Sequence, residues 1–163
     1  MDIQLILGPN NSGKSLFAEK MVVETENLQR IYLATMIPQT EENNERIQKH
    51  IAQREGKDFL TIEEPWNIHT LNIPKNSVVL LEDASNLLAN GIFVHHSNYQ
   101  ESFERILTLG EKCKKLIIVS IDGLTVSNSY DSETNDYIRQ LHLLNDLLAT
   151  VSSNVKNILP SIL

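Results

Sequence analysis

Short apolar runs alternate along the chain with longer stretches in which apolar residues recur every three or four positions. The runs predict strands over Ile3–Leu7, Arg30–Ala34, Phe59–Ile62, Val78–Leu81, Leu116–Ser120 and Val155–Leu159. The amphipathic stretches predict helices from Lys14 or Ser15 to about Val23, then over Glu41–Arg54, Ala84–Phe93, Tyr99–Lys112 and Ser132–Val151. Thr40, followed by Glu41 and Glu42, reads as the opening of the second helix, because acidic side chains suit a helix N-terminus. Strand and helix alternating in this way predict an α/β domain. Two stretches break the pattern and are expected to be the mobile ones: Glu64–Ser77, interrupted by Pro65 and Pro74, and Asp122–Thr134, rich in turn-forming side chains. No repeat or low-complexity segment interrupts the order.

The junction between the first strand and the first helix carries candidate chemistry. Gly8-Pro9-Asn10-Asn11-Ser12-Gly13-Lys14-Ser15 satisfies G-x-x-x-x-G-K-[ST] at every position, in the strand-then-helix context that the motif requires. Glycines let the backbone wrap a phosphate so that successive N–H groups point at it, and the helix N-terminus adds to the attraction. Lys14 is expected to reach the β- and γ-phosphates, and the Ser15 hydroxyl to ligate Mg²⁺. A glycine turn matches such a string by accident in roughly one chain in two hundred of this length, before any context is required. The motif narrows the fold to a P-loop NTPase-like, three-layer α/β/α domain with a mostly parallel sheet, spanning 1–163 as one unit.

Further along, "VVLLED" reads as a buried strand ending in Glu82 and Asp83. A carboxylate there lies on the ligand-binding edge of an α/β sheet and suits Mg²⁺, and spacing alone does not choose between the two. Within the second predicted helix, Arg46, His50 and Arg54 recur every four residues and so share a face. Two guanidinium groups flanking an imidazole can clamp a phosphate, and a neutral imidazole nitrogen attacks phosphorus. The competing view is an ordinary surface helix on which His50 is simply exposed.

Composition narrows the partners. The 163-residue chain is 41% hydrophobic and 21% charged, as expected of a folded single domain with its own core. Its formal net charge of −7 makes nucleic acid an unlikely partner, since that background repels a phosphate backbone. The basic ridge around His50 stands out against that charge. Cys113 is the sole cysteine, so neither an internal disulfide nor a cysteine-based metal cluster can form, and a reducing, cytoplasmic setting is expected. Neither a signal peptide nor a membrane-spanning run is expected from the sequence.

Other conspicuous residues have plainer uses. The adjacent His95 and His96 diverge on a helix and are expected on the surface. Trp66, beside Pro65, is expected to pack rather than to stack on a base. His142, in a leucine-rich helix, is expected at a core or boundary position, and Leu141, Leu144, Leu148 and Val151 have core spacing.

Four segments together resemble the adenosylcobinamide kinase / adenosylcobinamide-phosphate guanylyltransferase family of cobalamin biosynthesis: "LILGPNNSGKSLFAE", "IYLAT" followed by "EENNERIQKHIAQR", "FLTIEEP", and "VVLLEDASNLLAN". The specific part is the combination of "YLAT", R-I-x-x-H-x-x-x-R and T-x-E, in the family's order and spacing as far as Asn90. By this resemblance His50 falls where the family carries its guanylylated histidine, Thr35 on the end of the second strand, Arg54 on the following arginine, Glu63 on the T-x-E carboxylate, and Glu82 on the acidic strand end. The choice between Glu82 and Asp83 thereby turns to Glu82.

The resemblance implies two reactions: NTP-dependent phosphorylation of adenosylcobinamide, and attack of the histidine on the α-phosphorus of GTP, from which GMP passes to the phosphorylated corrinoid. It also implies Mg²⁺, GTP or ATP as nucleotide, and a homotrimer. The last third departs from the family pattern, with "VSIDGL" over Val119–Leu124 and with Arg139 and His142 at altered positions, although Asn145 and Ala149 are kept. Asp83 stands in place of a family cysteine and Phe59 in place of a tryptophan. Two other functions fit the same residues. One is a P-loop kinase or NTPase with a single activity, and the other a nucleotide-binding subunit without turnover.

Overall fold

The computed structural model describes residues 1–37 and 41–159. Six strands, β1 (Asp2–Gly8), β2 (Gln29–Ala34), β3 (Phe59–Glu63), β4 (Ser77–Glu82), β5 (Lys115–Ile121) and β6 (Asn154–Asn157), form one sheet in the order β3-β2-β4-β5-β1-β6. Every pairing is parallel. The helices are α1 (Lys14–Val23), α2 (Glu41–Arg54), α3 (Ala84–His95), α4 (Tyr99–Lys112) and α5 (Ser132–Val151). Thr40, expected to open α2, lies outside the described residues.

Strand periodicity divides the core in two, because successive side chains point to opposite faces. Ile3 and Leu5 of β1, Ile31 and Leu33 of β2, Val79 and Leu81 of β4, and Leu116 and Ile118 of β5 face the layer built from α3, α4 and α5. Ile6, Tyr32, Val78, Leu80, Ile117 and Val119 face the other way, against Ala18 and Val22 of α1. The central strand β4 is buried at all six positions, and its middle, Val78–Leu81, is accordingly an unbroken apolar run between Ser77 and Glu82. The result is the expected three-layer α/β/α domain of P-loop type.

Three expectations change in the structure. The proline-interrupted stretch from Glu64 to Ser77 supplies core residues: Trp66, Ile68 and Ile73 are buried against the α3/α4 side. Trp66 packs between the Arg105 guanidinium, 4.0 Å from its ring, and the exposed His95, stacked at 5.4 Å. The apolar side chains that follow Pro65 outweigh the irregular backbone. On α5, Leu141, Leu144 and Leu148 are buried, but Val151 is 37% exposed because the helix ends there, past the sheet. His142, expected at a core or boundary position, is exposed, and its Nε2 lies 2.7 Å from the Leu124 carbonyl.

The divergent last third supports the glycine loop. The Asp122 N–H donates to the Gly8 carbonyl at 3.1 Å, and the Ile158 N–H to the Leu7 carbonyl at 2.7 Å. Asn145, buried on α5, accepts from Ser120 Oγ at 2.6 Å and donates to the Ile121 carbonyl at 3.0 Å, fixing the end of β5. No helix among the described residues is long and apolar enough to cross a membrane.

Candidate active site

The loop between β1 and α1 has the geometry its sequence predicts. A Cβ on Gly8 would stand 2.6 Å from Ser12 Oγ and 3.2 Å from the Ile158 carbonyl oxygen, so a side chain there would displace the Ser12 hydroxyl and crowd the chain after β6. Asn11 and Gly13 take positive φ of 58° and 86°, which turns the chain into α1. Gly13 is the N-cap residue of α1 and no side chain caps this helix, so its first-turn N–H groups remain available to an anion. Lys14, largely buried, reaches across the loop to the Pro9 carbonyl at 3.1 Å.

At the end of β4 the two acidic residues separate. Glu82 Oε1 accepts a hydrogen bond from Ser15 Oγ, while Asp83 Oδ1 caps α3 by accepting from the Asn86 N–H at 2.7 Å. Burial, reinforced by the neighbouring Asp83 charge, pushes Glu82 up to about 8. Burial also raises Asp83 above the ordinary carboxylate range. Two hard oxygen donors in contact, one a carboxylate that burial makes costly to ionise without a cation, suit Mg²⁺. Among the described residues no group of three or more His, Cys, Asp and Glu could hold a metal, so a cation here would draw its remaining ligands from phosphate and water.

Thr35, at the end of β2, is buried and turned towards this junction. Its Oγ1 lies 3.1 Å from the Glu82 carbonyl and 2.9 Å from the Asp83 carbonyl, and accepts from the Asp83 N–H at 2.9 Å. It holds the β4–α3 turn from behind rather than lining the cavity.

Helix α2 stands over the loop. Among its described residues only Arg54 is buried, and Arg54 folds down so that its guanidinium carbon lies 3.5 Å from the Tyr32 ring centroid. Its Nη2 donates to Thr61 Oγ1 at 3.2 Å, whereas the buried Nη1 has no partner. His50 has its pKa lowered, first by burial and then by the positive charges of Arg54, Arg46, Lys49 and Lys14, and its buried Nδ1 is likewise unpartnered. An imidazole kept neutral beside guanidinium groups is poised as a nucleophile towards an anion that those groups attract.

These parts enclose a cavity of about 400 Å³. Asn11, Ser12, Gly13, Lys14 and Ser15 form its floor, Arg46, His50 and Arg54 its overhang, and Glu63, Glu82 and Asp83 line its side. Gly8, Pro9 and Asn10 shape the loop from outside the lining. Ser12 Oγ, His50 Nδ1 and Arg54 Nη1 are buried polar atoms without partners, and all three residues line this one cavity. Unpaired buried polar groups are costly, so their convergence marks a place for a polar, anionic ligand. The model of the cobinamide kinase / cobinamide phosphate guanyltransferase family matches residues 4–160. The chain belongs to this family. No curated protein matches the chain significantly.

Membership in the cobinamide kinase / guanyltransferase family places the protein in cobalamin biosynthesis, with nucleotide and corrinoid substrates. The match runs through the last third, so the departures after Asn90 are variation within the family. The site includes residues that lie within the quoted motifs but to which sequence reasoning gave no role. Tyr32 and Ala34 line the cavity, as do Thr61 and Asn86. Tyr32 was within reach of strand alternation, which sets it on the α1 face, opposite Ile31 and Leu33. Nothing in the sequence signals that Thr61 holds Arg54.

Proposed function

We propose that the protein phosphorylates the aminopropanol hydroxyl of adenosylcobinamide and then guanylylates the product through a GMP–His50 intermediate. In the first reaction the corrinoid hydroxyl oxygen bonds to the γ-phosphorus, the bond to the β-phosphate oxygen breaks, and the hydroxyl proton leaves with solvent. In the second, a His50 imidazole nitrogen attacks the α-phosphorus of GTP and pyrophosphate departs. A phosphate oxygen of the corrinoid phosphate then attacks the same phosphorus, the P–N bond breaks, and neutral imidazole is regenerated as a diphosphate bridge forms.

The observation that carries this reading is the convergence of unpartnered Ser12 Oγ, His50 Nδ1 and Arg54 Nη1 on one cavity. The glycine loop with Lys14 cradles the triphosphate, Arg54 and Arg46 draw negative charge towards His50, and the lowered pKa keeps His50 unprotonated. Glu63 faces the same space from the end of β3. Ser15 and Glu82 would hold Mg²⁺, which when bound neutralises phosphate charge. Family resemblance supports a homotrimer. Cys113, buried and with its thiol pushed up to about 11 by burial, accords with a cytoplasmic setting.

Incubation with Mg²⁺ and α-labelled GTP tests the intermediate. Acid-labile, alkali-stable label is expected on the wild-type protein and absent from His50→Ala. An unlabelled wild type overturns the guanylyltransferase mechanism, and γ-phosphate transfer surviving in both proteins would leave a kinase alone.

A further inference from the structure

We propose that Glu19 is a positioning residue for guanylyl transfer, a latch that sets the distance between His50 and the glycine loop. The inference rests on the role proposed for His50. Glu19 lies on α1, four residues after Ser15 and therefore on the same face of the helix. Its carboxylate is completely buried, and it accepts hydrogen bonds from Gln53 Nε2 and, at 3.4 Å, from Lys57 Nζ. Gln53 stands one turn after His50 on α2, and Lys57 just beyond the end of that helix. One carboxylate thus joins the turn after Ser15 to the turn after His50.

A buried carboxylate costs several kcal/mol of desolvation unless it is paired, so its placement inside α1 needs a compensating partner. Both donors come from α2 and the residues just after it. Hydrophobic packing does little to place that helix, since Arg54 is its only buried residue among those described. Polar ties do the placing. Arg30 adds a second, donating from Nη1 to the Lys57 carbonyl at 2.7 Å and from Nη2 to the Val23 carbonyl at 3.1 Å. Attack on phosphorus depends steeply on approach distance, and a 1 Å misplacement costs about 100-fold. A latch at Glu19 therefore acts on the step that uses His50, while phosphoryl transfer over the loop depends on β1, α1 and the Glu82 end of β4, and Arg54 keeps its own contacts with Tyr32 and Thr61.

Glu19→Leu, which removes the acceptor, and Glu19→Gln, which keeps an oxygen for Gln53, test this together with Lys57→Met at the outer end of the ion pair. In Glu19→Leu, single-turnover GMP labelling at saturating GTP is expected to fall by about 10- to 100-fold. Glu19→Gln should be intermediate, and GTP affinity and γ-phosphate transfer to cobinamide should stay near wild type. Hydrogen exchange should quicken at the amides of residues 46–57 and remain unchanged in β1, β4 and β5. Wild-type labelling and exchange in Glu19→Leu would overturn the latch, as would a parallel fall of both activities and of GTP affinity. Should Glu19→Leu fail to fold, Lys57→Met carries the same comparison, with a smaller slowing of labelling. A wild type that takes no label refutes the role of His50, and the exchange data then decide the latch by themselves: faster exchange in the α2 region supports it, and equal exchange overturns it.

Discussion

The guanidinium of Arg54 sits over the ring of Tyr32 at 3.5 Å, with one nitrogen bonded to Thr61 and the other left unpartnered at the cavity wall. A cation over a desolvated aromatic face gains about 2 kcal/mol, and here the ring also aims the free nitrogen. Tyr32→Leu is expected to weaken GTP binding by about 3- to 30-fold, the span that corresponds to the range of such contacts. Tyr32→Phe should bind as wild type. Burial drives the Tyr32 phenol well above its ordinary pKa, so the hydroxyl stays protonated and its removal changes no charge. Titration calorimetry with GTP measures both variants.

The acid side of the guanylylation profile should report His50. Its pKa is lowered from the ordinary imidazole value of 6.5, first by burial and then by four nearby cations. In the proposed mechanism the unprotonated ring is the nucleophile, so the midpoint of the acid-side decline in labelling should lie below pH 6.5. Arg46→Gln removes one of those charges and should move the decline towards higher pH. Single-turnover labelling across pH 5–8 gives the profile, and a midpoint above pH 6.5 in the wild type would contradict the assignment.

Thr35 gives a stability prediction. Thr35→Val keeps the shape of the side chain but leaves the buried Asp83 N–H without its partner. A buried donor left unsatisfied costs about 1–3 kcal/mol. In a chain of this size each kcal/mol lowers Tm by about 2–4 °C. Thr35→Ser should retain most of the stability. Thermal denaturation with and without Mg²⁺ and nucleotide should also show less ligand stabilisation in Thr35→Val, because the displaced turn carries Glu82.

Much of the fold was legible because its signals are local. The β1–loop–α1 unit can be read from "LILGPNNSGKS", where an apolar run, two constrained glycines and a helix start lie within a dozen residues. The all-buried β4 announces itself as an apolar run, and the i,i+4 spacing of Arg46, His50 and Arg54 places them on one face whatever the helix packs against. Side chains whose roles depend on distant partners were not legible. The resemblance sets Thr35 on the end of the second strand but not its turn to the β4–α3 junction, and Tyr32 and Glu19 have no role until Arg54, Gln53 and Lys57 arrive beside them.

By itself, then, the sequence determined a glycine-bearing loop between strand and helix, an α/β layering and a helix with a basic face. Only the tertiary structure decided that Glu82, the residue the family resemblance already favours, bonds to Ser15 while Asp83 caps α3, that Arg54 is pinned on Tyr32, and that α2 hangs over the loop by polar ties to α1. The physical reason is range: backbone preference and hydrophobic periodicity act over a few residues, whereas buried charges and hydroxyls take partners from segments separated by tens of positions in the chain.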